Sequence, residues 1–332
     1  MADPKAPAEL ELFALGTPVM DGFAQVEADF LAARKLALGS SNFMNGVQLA
    51  VLEKALGPKV RSWEPGDNAR NLCESYVRLQ KLAKKTASAP AEFGAMYAGT
   101  LGSDEVGTRF LNSLRAHSIQ PKIQFVNGAS GRILALVTPE GQRTFAVALG
   151  VSEQYAAPAQ LPEAKCFFLT SITLLTPAPI SRAARAMIEQ MRKSHSRIAI
   201  ALESPAMLAG KKEDALSIAK KADVLFLNEE EMASIGMDET TLPALAPLVY
   251  LKRGKKGSTV FKDGQKLADV PCKKAERVVD TTGAGDNFAA GVLWGLEHGK
   301  TPIEAARIGA QLGAAVVAKF GASLPNEFRL ES

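Results

Sequence analysis

The second half of the chain alternates short apolar runs with longer amphipathic stretches. The apolar runs lie at residues 166–169, 197–202, 223–227 and 248–251. Parallel strands are buried on both faces and need a crossover connection between them, so this alternation is typical of consecutive βαβ units. It predicts an α/β fold, in which a largely parallel sheet lies between two layers of helices.

Residues 120–149 follow a different pattern. Two β-rich runs at 131–138 and 143–149 flank a Pro-Glu-Gly-Gln turn at 139–142. Such a turn between two runs predicts a hairpin, and the change of pattern favours a separate small sheet. Upstream, the spacing of apolar residues predicts a helix from 68 to about 86.

The composition argues against several classes of protein. The net charge is only +4 over 332 residues, and no lysine/arginine stripe with interleaved aromatics indicates a nucleic-acid surface. No apolar run approaches the roughly 18 residues of a membrane span, and the start lacks a secretory pattern. Three cysteines and three histidines are too scattered for a disulfide framework, a zinc site or a Ser-His-Asp triad. We expect a cytoplasmic protein that binds neither nucleic acid nor membranes.

The strongest chemical signal is the sequence Asp-Thr-Thr-Gly-Ala-Gly-Asp at residues 280–286. A short apolar run enters this turn, and helix-compatible residues follow it. Unpaired amides at a helix N-terminus bind anions, and small residues let a phosphate approach them. Asp286 would lie where the amides converge and could accept a proton from an attacking hydroxyl. Aspartate is also a favoured N-cap, so the residues alone leave both roles open.

The sequence contains neither of two other common glycine-rich motifs that bind nucleotides. No G-x-G-x-x-G sequence follows the first strand, which argues against an NAD-dependent dehydrogenase. Residues 254–259 have the wrong spacing for a Walker A loop.

Residues 280–286 match in full the C-terminal motif of the ribokinase (PfkB) family of carbohydrate and nucleoside kinases. The resemblance covers about residues 15–325, and segments 15–21 and 132–144 look most like the adenosine-kinase-like branch. It implies one ribokinase-like three-layer α/β/α domain over residues 1–332, with a small β lid.

The resemblance also implies an activity and its cofactors. The lid would come from about 21–46 and 120–149, and substrate would bind beneath it. The expected reaction transfers the γ-phosphoryl group of ATP to a primary hydroxyl of a sugar or nucleoside, with Mg²⁺. Many members also respond to a monovalent cation such as K⁺, and a monomer or a homodimer is expected.

Within residues 280–286, the resemblance implies that Asp286 is the catalytic base. It assigns Gly283, Ala284 and Gly285, together with the Asp286 amide, to the anion hole, and Thr281 to nucleotide binding.

Four positions are matched to the acceptor. Asp21 corresponds to an acid that binds sugar hydroxyls, although an aspartate before Gly22 also suits a turn. Asn71 corresponds to a substrate-contacting asparagine. Gly66 and Asp67 lie in the same motif, where Asp67 replaces the second glycine of the family. The added bulk and charge put the choice of substrate in doubt.

Five positions are matched to the nucleotide and its metal. Asn228 and Glu231 correspond to an Asn-x-x-Glu motif that holds magnesium, and they equally fit an N-capped helix start. Arg143 corresponds to a phosphate-binding arginine, with a solvated hairpin residue as the alternative. Gly254 and Gly257 correspond to a loop beside the nucleotide.

A kinase-fold binding protein that has lost catalysis is the alternative function. Asp67 favours it, whereas the intact Asp286, Asn228 and Glu231 argue against it.

Overall fold

The computed structural model describes residues 10–83, 94–176 and 179–331. Strands are numbered along the chain. The large sheet contains β1 (Leu10–Leu15), β5 (Ala95–Gly102), β6 (Gln120–Val126), β9 (Ala164–Thr170), β10 (Arg197–Ala201), β11 (Val224–Asn228), β12 (Leu248–Lys252), β13 (Ser258–Lys262) and β14 (Gln265–Val270). The small sheet contains β2 (Val19–Gln25), β3 (Ser41–Phe43), β4 (Trp63–Pro65), β7 (Gly131–Val137) and β8 (Arg143–Ala148).

Helices connect the strands of both sheets. They are α1 (Ala28–Ala32), α2 (Gly46–Leu56), α3 (Asn68–Ala83), α4 (Glu105–Ala116), α5 (Ser171–Leu175), α6 (Pro179–Lys193), α7 (Pro205–Gly210), α8 (Lys212–Ala219), α9 (Glu229–Ser234), α10 (Ala284–Glu297) and α11 (Pro302–Val316). None of the helices in the described part of the chain is long and apolar enough to cross a membrane.

The large sheet separates two hydrophobic layers. Its strand order is β14-β13-β12-β11-β10-β9-β1-β5-β6, and pairing is antiparallel only at β13 and β14. Successive side chains of a strand point to opposite faces. Leu12 and Ala14 pack with residues of α3, α10 and α11, whereas Phe13 and Leu15 pack with residues of α6 and α8. This confirms the predicted three-layer fold with a largely parallel sheet.

The small sheet has the order β3-β8-β7-β2-β4. β7 and β8 form the predicted antiparallel hairpin. One face, which includes Ala24 and Leu134, packs with residues of α2. The alternation of β2 and its register with β7 and β8 place Asp21, Phe23 and Arg143 on the opposite face. We call this second face the cleft face.

The predicted segments of the small sheet, 21–46 and 120–149, are wrong at two points. β6 pairs in parallel with β5 over its whole length, so it belongs to the large sheet. β6 is an edge strand and is only partly buried, which explains why its sequence lacks the apolar pattern of the inner strands. β4 joins the small sheet from outside both segments. The predicted helix is α3, and residues 84–86 of that prediction lie outside the described residues.

Candidate active site

The predicted site residues converge at the edge of the large sheet where the parallel strands end. Neighbouring parallel strands deliver the residues at their carboxyl ends to one crevice. Asn228 is the last residue of β11 and Lys252 the last of β12, and the two are partners across the pair. Glu203 follows β10, and α10 begins beside these strand ends.

The first turn of α10 carries the anion-binding geometry predicted from the sequence. Gly283 is the N-cap, with a left-handed φ of 74° that favours glycine. The Ala284 amide makes a 3.3 Å contact with the Thr281 carbonyl. The amides of Gly285 and Asp286 form no hydrogen bond with any residue in the described ranges. These amides are therefore available to an anion.

Asp286 is not the N-cap, since Gly283 occupies that position. Its side chain is buried and accepts two hydrogen bonds from α3, from Asn68 Nδ2 to Oδ1 at 3.1 Å and from Asn71 Nδ2 to Oδ2 at 3.0 Å. Burial raises the pKa of Asp286, while Asn71, the charge of Lys252 and Asn68 oppose the rise. The result is an oriented carboxylate beside unpaired amides.

Asp67 turns its carboxylate toward the large sheet. It accepts hydrogen bonds from the Tyr97 hydroxyl at 2.7 Å and from the Thr17 and Arg70 amides, each at 3.3 Å. A Cβ on Gly16 would lie 2.0 Å from its Oδ2, so the aspartate fits because position 16 is glycine. Burial raises the pKa of Asp67 to about 6, although the Tyr97 hydrogen bond lowers it.

Asp21 lies within β2 on the cleft face, so its alternative interpretation as a turn residue is wrong. A Cβ on Gly66 would lie 2.4 Å from Asp21 Oδ2, which shows that the Asp21 carboxylate rests on the Gly66 backbone. Burial and the charge of Asp67 raise the pKa of Asp21 to about 7, and Arg70 opposes them. The structure thus brings Asp21, Gly66 and Asp67 together.

Arg143 links the small sheet to the turn before α10. Its Nη1 donates to Thr282 Oγ1 at 2.6 Å, and its Nη2 donates to Asp280 Oδ1 at 2.7 Å. The alternative of a solvated hairpin residue is therefore wrong. Burial would raise the pKa of Asp280, but hydrogen bonds from Thr282, Arg143 and Gly321 hold it at about 2. Arg143 thus forms a charge-assisted contact across the cleft.

Asn228 and Glu231 form a capping box at the start of α9. The Glu231 amide donates to Asn228 Oδ1 at 2.8 Å, and the Asn228 amide donates to Glu231 Oε2 at 2.6 Å. The helix-cap interpretation is confirmed. The box does not use Glu231 Oε1, so capping leaves one carboxylate oxygen for another role.

The chemistry of the neighbouring side chains fits a magnesium ion. No three His, Cys, Asp or Glu side chains of the described residues are placed to hold a metal by themselves. Magnesium is commonly bound by one or two carboxylates together with phosphates and water. Glu203 is buried and its Oε2 has no hydrogen-bond partner in the described structure. Together with Glu231, it supplies oxygen ligands of the required kind.

The remaining predicted nucleotide residues lie around the same edge. Gly254 and Gly257 flank a short 3₁₀ turn after β12, with φ of 54° and 96°. A Cβ on Gly257 would lie 2.1 Å from the Val270 carbonyl oxygen, so packing against β14 alone requires glycine there. Thr281 is exposed beside the first turn of α10.

Three residues of the site were missed by sequence reasoning. Asn68 holds Asp286, whereas Glu203 and Lys252 lie at strand ends beside it. Burial and Asp286 raise the pKa of Glu203 well above its usual range, and Lys252 lowers it. A usable signal existed for the last two, because each is a charged residue directly after a predicted apolar run.

A cavity of about 840 Å³ lies between the small sheet and the segment that follows α11. The small sheet contributes Phe23, Val137 and Arg143 to its lining, and Asp280 and Phe320 contribute from the segments before α10 and after α11. Its size is that of a small-molecule site.

Comparison with known proteins agrees with this architecture. The chain is 24% identical over 346 residues to adenosine kinase from Saccharomyces cerevisiae, covering 95% of this chain and 97% of that one. It is 25% identical over 263 residues to 2-dehydro-3-deoxygluconokinase from Escherichia coli, covering 72% and 85%. The crystal structure of adenosine kinase from Sinorhizobium meliloti superposes with a TM-score of 0.81 at 21% identity, over 95% and 96% of the two chains.

The family model for the pfkB family of carbohydrate kinases matches residues 86–329, which is most of the chain. The fold is accordingly ribokinase-like, and ATP is the expected phosphoryl donor throughout the family. The chain therefore belongs to the pfkB family of carbohydrate kinases and is a phosphotransferase.

Proposed function

We propose that this kinase transfers the γ-phosphoryl group of ATP to a primary hydroxyl of a sugar or nucleoside, with Asp286 as general base. One observation carries the proposal: a buried, doubly hydrogen-bonded carboxylate lies in the same helical turn as two unpaired amides. A base and an anion site at such short range are what an in-line displacement requires.

Each group of residues has its own role in the proposed reaction. The oxygen of the acceptor hydroxyl forms a bond to the γ-phosphorus while Asp286 takes the proton of that hydroxyl. The bond between the γ-phosphorus and the ADP oxygen breaks at the same time. The amides of Gly285 and Asp286 stabilise charge on the transferred group. Asn68 and Asn71 hold the carboxylate in the orientation that the transfer needs.

Glu231 and Glu203 are the residues proposed to hold the magnesium ion, with Asn228 fixing the position of Glu231 through the capping box. The ion would neutralise charge on the nucleotide phosphates.

The cleft face favours a nucleoside over a simple sugar. Phe23 and Phe145 lie on the same face as Asp21, and both rings are only partly buried. A carboxylate next to partly exposed aromatic rings suits a ligand with a hydroxylated sugar and a flat base, because the base can stack on the rings. The similarity to kinases named for adenosine supports the same choice.

The test is ADP release measured with Mg-ATP and a panel of acceptors. We expect turnover with nucleosides, led by adenosine, and much weaker turnover with ribose, fructose and 2-dehydro-3-deoxygluconate. Turnover of a free sugar at rates equal to the best nucleoside would overturn the choice of acceptor class.

The alternative of a binding protein without catalysis rested on Asp67. The Asp67 carboxylate is directed at Tyr97 and Thr17, which weakens that case. Measurable binding of a nucleoside by calorimetry, combined with no phosphorylation of any acceptor, would favour the binding protein.

A further inference from the structure

Lys252 crosses from the sheet edge to the first turn of α10. A Cβ built on Gly285 would have the Lys252 ammonium as its nearest non-neighbouring heavy atom, at 2.9 Å. The ammonium therefore lies against the backbone of the anion-binding turn. Glycine at position 285 leaves room for this approach, since a Cβ there would make the Nζ atom shift.

The Lys252 ammonium has no direct partner among the described residues. Across the described ranges, no hydrogen bond and no ion pair reaches it. The adjacent Arg253 is the opposite case, because its guanidinium contacts Glu229 at 3.3 Å, Glu239 at 2.5 Å and Thr259 at 2.8 Å. Lys252 is thus the cation of this strand end that remains available to a ligand.

Three carboxyl groups lie near Lys252, and none of them forms an ion pair with it in the described part of the chain. Burial raises the pKa of Asp286, Glu203 and Glu231, and the charge of Lys252 opposes the rise at all three. The ammonium therefore influences all three carboxyl groups from beyond ion-pair distance. An anion that enters beside Gly285 would meet Lys252 and two unpaired amides together.

We propose that Lys252 binds the γ-phosphoryl group and is a further catalytic residue of this kinase, an inference that rests on the proposed function. Lys252 keeps its proton throughout. It donates to a non-bridging oxygen of the phosphoryl group while the acceptor–phosphorus bond forms, the phosphorus–ADP bond breaks and Asp286 takes the acceptor proton. A compact ammonium suits this task, since it acts as a point charge on phosphate oxygen.

The experiment compares Lys252→Met with Lys262→Met. Lys262 is exposed at the far end of the same hairpin, opposite Leu248 at the start of β12, so the control removes an equal charge away from the site. We expect kcat of Lys252→Met to fall about 100- to 1,000-fold, which is the usual effect of removing one oxyanion-hole donor. Lys262→Met should stay within about twofold of the unmodified enzyme, as for a surface change.

Binding isolates the γ-phosphoryl contact. Calorimetry with ADP and with the β,γ-imido analogue of ATP, both with Mg²⁺, gives the ratio of the two affinities. Lys252→Met should weaken binding of the analogue about tenfold or more and leave binding of ADP nearly unchanged, as expected for loss of a charged hydrogen bond. Lys252→Arg keeps the charge, so its ratio of analogue affinity to ADP affinity should lie between those of Lys252→Met and the unmodified enzyme.

An affinity ratio that is the same in Lys252→Met and the unmodified enzyme would overturn the proposal, whatever happens to kcat. If the methionine variant fails to fold, Lys252→Gln takes its place under the same criterion. An enzyme that binds both nucleotides but phosphorylates no acceptor would defeat the proposed function instead, and the binding ratio would still decide whether Lys252 meets the γ-phosphoryl group.

Discussion

Asn71 Nδ2 donates to Asp286 Oδ2 at 3.0 Å, although 215 positions separate the two residues in the sequence. The bond joins the first turn of α3 to the first turn of α10. It therefore ties a residue predicted to contact the acceptor to the residue predicted to be the base. Any change in the position of α3 would change the orientation of the Asp286 carboxylate.

Asp286→Asn should abolish most turnover and leave binding intact. The substitution keeps the shape of the side chain but removes its ability to accept a proton. A general base contributes about 100- to 10,000-fold, so we expect kcat to fall within that range. Calorimetry should give affinities for the ATP analogue close to those of the unmodified enzyme.

Asp263→Asn is the matched control for that variant. Asp263 is exposed in the turn between β13 and β14, with a φ of 48° that asparagine tolerates. Its kcat should not change. Near-normal turnover of Asp286→Asn would show that another group takes the proton.

Asn71→Ala should move the acid limb of the rate profile to higher pH. The hydrogen bond from Asn71 favours the charged form of Asp286 and so lowers its pKa against the effect of burial. Removing the bond raises the pKa, and the base then becomes protonated at a higher pH. The profile of kcat against pH measures the shift. A limb that stays in place, or moves to lower pH, would contradict the electrostatic role of Asn71.

Local pattern was enough to predict the elements whose sequences carry their own signals. The β7–β8 hairpin follows from its turn, and the anion-binding turn follows from the glycines before α10. The alternation of the second half was sufficient for a largely parallel sheet because its inner strands are buried on both faces. β6 was assigned to the wrong sheet since an edge strand lacks that pattern.

Contacts between distant elements could not be predicted from the sequence. The partners of Asp67 belong to three separate segments, and only the fold shows that Gly16 makes space for its carboxylate. Glu203 and Lys252 each follow a predicted apolar run, but only the strand order shows that they lie beside Asp286. Which protein groups Arg143 contacts was likewise visible only after folding.

Arg143→Met should loosen the small sheet from the turn before α10. The variant loses both hydrogen bonds of the guanidinium and leaves the buried Asp280 without its cation. Removing one partner of a fully buried charged pair lowers the free energy of unfolding by about 3–5 kcal/mol. Because Arg143 is partly exposed, we expect a loss of about 3 kcal/mol or less. Hydrogen exchange of β7 and β8 should accelerate, and kcat should fall.

Arg132→Met is a useful comparison for Arg143→Met. Arg132 lies on β7, the hairpin partner of the strand that carries Arg143, and pairs with Glu53 at 2.6 Å on the α2 side of the small sheet. Its loss should leave exchange near Asp280 unchanged. Equal exchange in both variants would show that Arg143 does not restrain the small sheet.

Asp21→Asn should stabilise the folded protein increasingly as pH rises. The carboxyl group of Asp21 has a pKa of about 7 when folded, against 3.8 as its ordinary value. Between these values the folded chain holds a proton at Asp21 that the unfolded chain has released, so the free energy of unfolding falls as pH rises. Asparagine does not titrate. Urea unfolding at several pH values should show that the free energy of unfolding of the variant, relative to that of the unmodified protein, increases from about pH 4 to about pH 7. Above that range the difference should stay constant. A constant difference would refute the burial of this carboxylate.

Asp67→Gly should destabilise the fold even though it restores the glycine expected from the family. The φ of 89° is relaxed for glycine, which gains about 1 kcal/mol. The loss is larger, since the fully buried Tyr97 hydroxyl would lose its partner at a cost of about 1–3 kcal/mol, and two amides would lose theirs. Adding Tyr97→Phe removes the orphaned hydroxyl, so the double variant should be more stable than Asp67→Gly alone. Urea midpoints of both variants measure this, and a double variant no more stable than the single one would show that Asp67 does not support Tyr97.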